Sequence, residues 1–182
     1  MFSNPDEVVK QLGIREGEVV ADFGCGAGTY SIAIARALNG SGRVYAIDVQ
    51  KDILTRVQNT AKEEGVGGIV SVIWGNLEIE GGTKIKDQTV DLVILANVLF
   101  QSHERSAMVR EARRILRHGG RVLVIDWVES FNNLGPRPHD IVTEHEVAKI
   151  FEEENFSFDR HIDAGPHHYG HVYRKGIYHS QK

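Results

Sequence analysis

Short apolar runs recur along the chain at 19–23 (VVADF), 43–48 (RVYAID), 69–74 (IVSVIW), 90–95 (VDLVIL) and 121–128 (RVLVIDWV). Between them lie stretches whose apolar residues return every three or four positions. Brief apolar runs bounded by Gly, Asn and Asp predict buried strands, and the three-to-four period predicts amphipathic helices. Asn4-Pro5-Asp6-Glu7 reads as a helix start: an N-cap, a proline at the first helical position and acids in the first turn. That helix ends near Gly13. Further helices are expected over 29–38, stopped by Asn39-Gly40, over 50–64, stopped by Gly65, and over 104–117, stopped by Gly119-Gly120. Thr143 and Glu146 form a T-x-x-E capping box that opens a helix running to about Glu154. Residues 131–141 contain Pro136 and Pro138 and read as a loop, and 157–178 alternate around Gly165-Pro166 as two antiparallel strands. Strands alternating with helices predict an α/β protein with a doubly wound sheet.

Composition narrows this picture only a little. A chain of 182 residues is expected to form one domain, spanning 1–182, with a sizeable core. Hydrophobic residues at 41% and charged residues at 25% suit an ordinary globular protein. Lys and Arg number 21 against 25 Asp and Glu, a net charge of −4, which argues against nucleic acid as a main partner. The arginines at 110, 113, 114 and 117 could form a local basic patch, but read more simply as the solvated face of a helix. A single cysteine, Cys25, forbids an internal disulfide and suits a reducing, cytoplasmic setting. No apolar run reaches the ~18 residues of a membrane span, and no signal peptide is read, so no membrane partner is expected. The oligomeric state is not legible.

The chemistry concentrates in 19–31, VVADFGCGAGTYS. A strand ends at Asp22, and glycine recurs at Gly24, Gly26 and Gly28. A helix follows, then a second strand ending in Asp48, 20 positions beyond Gly28. Such a unit binds a nucleoside-bearing ligand at the C-terminal edge of a parallel sheet. The spacing is D-x-G-x-G-x-G. It misses the dinucleotide pattern G-x-G-x-x-G in both frames, because the third glycine would fall on Thr29 or Ser31. An NAD-dependent dehydrogenase is therefore disfavoured. Asp22 could hold a cationic or amine-bearing group, and Asp48 could accept hydrogen bonds from two ribose hydroxyls. An adenosine carrying an amino acid fits these groups better than a dinucleotide.

These residues resemble the class I S-adenosylmethionine-dependent methyltransferases. ADFGCGAGTYS is similar to their glycine motif and YAIDV to their ribose-binding motif. WGNLE (74–78) is similar to the adenine motif, DLVILANVLFQSHE (91–104) to the fourth-strand motif and LRHGGRVLVIDW (116–127) to the fifth-strand turn. The resemblance runs from about Asn4 to about Lys175 and is nearest to small enzymes like the ubiquinone/menaquinone C-methyltransferases. It implies a Rossmann-like, mostly parallel seven-stranded sheet of order 3-2-1-4-5-7-6 with strand 7 antiparallel. It also implies S-adenosyl-L-methionine as cofactor, held by Asp22, Gly24, Cys25, Gly26, Gly28, Asp48, Val49, Gly75, Asn76, Leu77, Ala96 and Asn97. Two positions depart from the pattern. Asn76 stands where an Asp often binds the adenine amino group, leaving an uncharged acceptor. His118 stands where the fifth-strand turn usually has proline.

Methyl transfer from a sulfonium needs positioning and exclusion of water, with a general base for some acceptors. His103 is read as a catalytic base or substrate contact, against a surface role at the start of the next helix. Phe100, Trp127, His168 and Tyr169 are read as lining a small-molecule acceptor. The alternatives are core packing for Trp127 and a solvated turn for GPHHYGHVY (165–173). Cys25 reads as small packing within the turn. The nine histidines, several of them late in the chain, lack compact spacing with Cys or Asp, so no metal site is expected. The stretch ANVLF lacks the N/D/S-P-P-Y/F motif of DNA amino methylation, and one cysteine cannot serve RNA cytosine C5 or arsenite methylation. An RNA or protein methyltransferase and a non-catalytic cofactor-binding module remain as alternatives to the small-molecule enzyme.

Overall fold

The apolar runs become neighbouring strands of one sheet. The computed structural model describes residues 4–131 and 135–176. Its strands are β1 (Val19–Phe23), β2 (Arg43–Asp48), β3 (Val70–Trp74), β4 (Val90–Ala96), β5 (Leu116–Trp127), β6 (Phe156–His161) and β7 (His168–Lys175). They lie in the order β3-β2-β1-β4-β5-β7-β6, with β7 antiparallel to both neighbours. Among the described residues five α-helices cover the faces: α1 (Pro5–Leu12), α2 (Thr29–Ala37), α3 (Lys51–Glu63), α4 (Arg105–Ile115) and α5 (Glu144–Glu153).

The helix boundaries follow their local chemistry. The Asn4 side chain caps α1 by accepting from the Asp6 N–H, and Gly13 closes it with φ +60°. Thr143 and Glu146 make the reciprocal capping box at α5. One boundary differs from the sequence reading. Helix α4 stops at Ile115, because Leu116 turns into the sheet and pairs with Val90. The next paired residues are Leu92 and Arg121, so residues 117–120 loop out of the ladder. The Gly119-Gly120 turn is thus a bulge inside β5 rather than a break before it. Within 131–141 a short 3-10 turn forms at Pro138–Asp140. Of the 157–178 segment, residues 177 and 178 lie outside the described residues.

Side chains alternate between two cores. Val20, Val44, Leu92, Ile94, Leu123 and Ile125 face α1, α2 and α3. Ala21, Phe23, Val93, Leu95, Val122 and Val124 face α4 and α5. Burying each large side chain stabilises the fold by about 1.5–3 kcal/mol. A central parallel sheet covered on both faces leaves only its edges free, and strand order reverses between β1 and β4. Ligands bind beyond the C-terminal ends of strands at such a reversal. No helix among the described residues is long and apolar enough to cross a membrane.

Candidate cofactor and acceptor site

A cleft of about 480 Å3 opens at this reversal. It is lined by Gly24 and Gly26 after β1, Asp48 at the end of β2 with Val49, Gln50 and Ile53 beyond it, and Asn76, Leu77 and Glu78 after β3, with Val98, Gln101, Ser102 and Met108 completing it. A larger groove of about 540 Å3 runs over α4, but its charged lining is largely occupied internally: Arg110 pairs with Glu154, and Arg114 with Glu111 and Asp87. Arg117 and Arg121 likewise meet Asp91 and Glu18. Arg110 and Arg117 are exposed, as a solvated face requires, and are ion-paired as well. The smaller cleft has the open backbone and carboxylate that a nucleoside needs.

The glycine turn is held from both sides. Gly24 has φ +69°, and a Cβ there would stand 2.7 Å from Val98 Cγ2. Gly28 has φ +78°, and its Cβ would meet the Val57 methyls at 2.9 Å. Both positions combine a left-handed backbone with a close neighbour, so only glycine fits. The Gly24 and Cys25 N–H groups donate to the Ile47 carbonyl at 2.9 and 3.0 Å. This ties the turn to the end of β2, where the Asp48 carboxylate accepts from the Gly26 and Gln50 N–H groups at 3.2 and 2.9 Å. Asp48 is thereby oriented beside the glycine backbone, with lone pairs left for a ligand.

Asp22 behaves differently from its sequence reading. It is 2% exposed, does not line the cleft, and accepts from the Ser31 hydroxyl at 2.6 Å. Burial pushes its carboxyl up to about 6, while hydrogen bonds from Ser31 pull the other way. Its visible work is to fasten the turn to α2. Cys25 is packed into the core, and burial together with Asp22 raises its thiol, so it stays protonated.

Gly75, Asn76 and Leu77 follow β3. Asn76 is exposed, and its side-chain oxygen accepts from the Glu78 N–H at 2.9 Å, leaving its second lone pair for an adenine amino group. This loop is pinned by a residue the sequence reading passed over. Glu111, 1% exposed, accepts from the Gly81 and Thr83 N–H groups, from the Thr83 hydroxyl at 2.6 Å and from Arg114. Burial opposes its ionisation, but these donors outweigh burial and hold the carboxyl at about 2. The signal was present: Glu111 shares the apolar stripe of α4 with Met108, Ala112 and Ile115.

At the end of β4, Ala96 is half-buried and Asn97 adopts φ +56°. The Asn97 side-chain oxygen is buried without a hydrogen-bond partner. An orphaned acceptor costs stability unless something donates to it; Asn97 does not itself line the cleft, although its neighbour Val98 does. Phe100 follows, its N–H accepted by Asp126 at 3.3 Å. The other Asp126 oxygen accepts from the Trp127 N–H at 2.9 Å. Asp126 is fully buried, which pushes its carboxyl up to about 6. It joins the tips of β4 and β5, and its place at the end of an apolar run is the only sequence sign of it.

The remaining candidates separate. Trp127 and His168 are paired across β5 and β7, both nearly buried, with ring centroids 4.2 Å apart. Both His168 ring nitrogens are buried without partners, and burial lowers its pKa, so the ring is neutral. Tyr169 points to the other face and donates its hydroxyl to the Val142 carbonyl at 2.9 Å. It lines a second cleft of about 330 Å3 with Trp127, Thr143, Glu144 and His145. His103 is exposed and lines neither cleft, although its neighbour Ser102 lines the first. The late histidines also part company. His167 stacks on Phe131 and meets Glu129 at 2.9 Å. His161 and His171, which sequence spacing left without partners, face each other and converge on Glu144.

Comparison with known proteins agrees with this geometry. Residues 14–176 match the family described as a methyltransferase domain. A ubiquinone/menaquinone biosynthesis C-methyltransferase UbiE of Hahella chejuensis is 26% identical over 133 residues, which are 73% of this chain and 52% of that protein. A demethylmenaquinone methyltransferase of a Geobacillus species is 26% identical over 121 residues, 66% of this chain and 50% of that protein. The chain thus spans about half the length of these curated relatives. Among solved structures, a SAM-dependent methyltransferase from Aquifex aeolicus superposes with a TM-score of 0.85 at 26% identity, covering 95% of this chain and 90% of that one. The family model covers most of the chain and the sheet has the order that the resemblance implies, so the chain belongs to the methyltransferase-domain family of class I S-adenosylmethionine-dependent enzymes.

Proposed function

We propose that the chain transfers the methyl group of S-adenosylmethionine to a small organic acceptor bound beyond the tips of β4 and β5. The observation that carries this reading is the cleft at the strand reversal, where the glycine backbone, the Asp48 carboxylate and the Asn76–Leu77 loop converge. When bound, the cofactor supplies a methyl group already activated by its sulfonium charge. The protein's own part is then to bind, orient and keep water out. Asp48 accepts the ribose hydroxyls. Trp127 and His168 offer an apolar wall with a neutral imidazole, while Phe100 packs against the core on the α4 and α5 face. His103, next to Ser102 at the cleft, is the available base for acceptors that must lose a proton. The ion-paired arginines of α4 favour a small molecule over RNA, and a lone buried cysteine suits a reducing cytoplasm.

Calorimetry with S-adenosylmethionine and S-adenosylhomocysteine tests the first half. One site per chain is expected, and absence of binding to the wild type sinks the enzyme reading. A screen of small-molecule acceptors for release of S-adenosylhomocysteine tests the second. Binding without turnover on any acceptor class would instead support a non-catalytic module. Against an active acceptor, His103→Ala is expected to lower kcat while leaving cofactor affinity unchanged.

A further inference from the structure

The β6–β7 hairpin carries a feature that methyl transfer does not use. Glu144, His161 and His171 present three ligand atoms all within 4.8 Å of one another. They come from three separate elements: the first turn of α5, the last residue of β6 and the middle of β7. We propose that they form a site for a divalent transition ion of the zinc class, a ligand set of two imidazoles and one carboxylate.

The register of the hairpin carries the argument. Phe158 pairs with Tyr173, Arg160 with Val172 and His161 with His171, with the ladder shifting between Phe158 and Arg160. In a regular ladder, side chains alternate faces, so His161, three residues beyond Phe158, would point to the opposite face and lie opposite Gly170. The shift makes Asp159 an extra residue, which returns His161 to the face of Phe158 and Tyr173 and sets it against His171. Bulges re-aim single side chains in this way. Asp159 is held in place by Arg160 at 2.6 Å and Arg174 at 2.9 Å. The two imidazole centroids stand 4.9 Å apart at 72°, edge to face rather than stacked.

The surroundings suit a metal. His171 is buried, with Nε2 2.8 Å from Glu144 and Nδ1 3.2 Å from the Tyr173 hydroxyl. That hydroxyl can donate to Nδ1 or accept from it. When it accepts, the Nε2 lone pair is turned toward Glu144 and His161, an arrangement a cation stabilises. A partner on the second ring nitrogen is the usual support of a ligating histidine. Phe158 lies against both imidazoles, at 4.9 and 5.5 Å, as an apolar wall. Tetrahedral ligands of zinc stand about 3.3 Å apart, given bonds of about 2.0–2.1 Å. Glu144 and His161 are exposed and can close that gap by rotamer changes, while His171 stays fixed. Three protein ligands leave a coordination position open, and imidazole with carboxylate suits zinc, nickel, cobalt or iron(II). The ion would fasten the start of α5 to the hairpin, beside the cleft of Thr143, Glu144 and Tyr169.

The test is calorimetric titration of untagged, chelator-treated protein with zinc chloride. One ion per chain is expected, with affinity falling at least tenfold in His161→Gln and in Glu144→Gln. Both residues are exposed, so both variants are expected to fold. His118→Gln, at an exposed histidine on the β5 bulge, is expected to bind as the wild type does. Absence of a stoichiometric site overturns the proposal, as does a site that survives both His161→Gln and Glu144→Gln, since the ion would then be held by other histidines.

Discussion

The two halves of the sheet edge build their sites by different means. From β1 to β4 the cleft is framed by the main chain of strand-end turns, with a glycine turn, the Asn76–Leu77 loop and the carboxylates of Asp48 and Glu78. From β5 to β7 the surfaces are side chains brought together across strands: Trp127 on His168, the Tyr169 hydroxyl on Val142, and His161 with His171 at Glu144. Each half keeps a buried strand-tip carboxyl pushed up to about 6, Asp22 in the first and Asp126 in the second. In both, the acid ties a loop to the fold and is not presented on the cleft. A backbone-built site tolerates little variation because glycine and the main chain leave no alternative. A side-chain-built site can be rewritten residue by residue, and that is where an acceptor would be chosen.

The largest expected effect breaks the first half alone. Asp48→Ala removes the acceptor for the ribose hydroxyls, and charged hydrogen bonds of this kind are worth about 1.5–3 kcal/mol each. Calorimetry should show cofactor affinity falling at least about 100-fold, with acceptor-end contacts intact. Glu111→Gln comes next. It leaves Arg114 short of a charge and loosens the 75–83 loop, at a cost of about 2 kcal/mol. Chemical denaturation should read that loss, together with a several-fold weaker cofactor Kd. An unchanged Kd would show that the loop is set without Glu111.

Asp22 and Asp126 sharpen the comparison by pH. Their folded values lie above the ordinary 3.8, so between about pH 4 and 6 the folded state binds more protons than the unfolded one. Their contribution to stability therefore falls as pH rises through that window and is constant above it. Asp22→Asn, which keeps an oxygen for Ser31, should flatten part of this fall and raise stability at pH 7 by about 1–2 kcal/mol. Denaturant midpoints at pH 4, 5.5 and 7 check it, and a gain equal at all three would refute it. Tyr169→Phe is the mildest, costing about 1 kcal/mol through the lost hydrogen bond to Val142. Thermal melts should show it without any change in cofactor affinity.

Much of the first half was legible because its determinants are local. The spacing of Gly24, Gly26 and Gly28 and the position of Asp48 specify a turn and a strand tip within one β-α-β unit. Asn76, one strand further on, followed from its motif. Asp22 was found for its place but not for its role, since only the packed structure shows its carboxylate spent on Ser31. Glu111 carried a visible sign, a glutamate on an apolar helical stripe. His103 stood out by its motif, and the fold leaves it exposed.

The sequence by itself determined the strand and helix order, a doubly wound sheet and a nucleoside cradle at the glycine turn, because periodicity, caps and glycine turns act over a few residues; the strand order within the sheet and the methyl donor followed from the family resemblance. Tertiary structure alone decided that Leu116 joins the sheet before the glycine turn. It also set Trp127 against His168, and it made one bulge at Asp159 set His161 against His171. Those outcomes depend on register between strands distant along the chain. A one-residue shift in register reverses every face, and no local pattern encodes it.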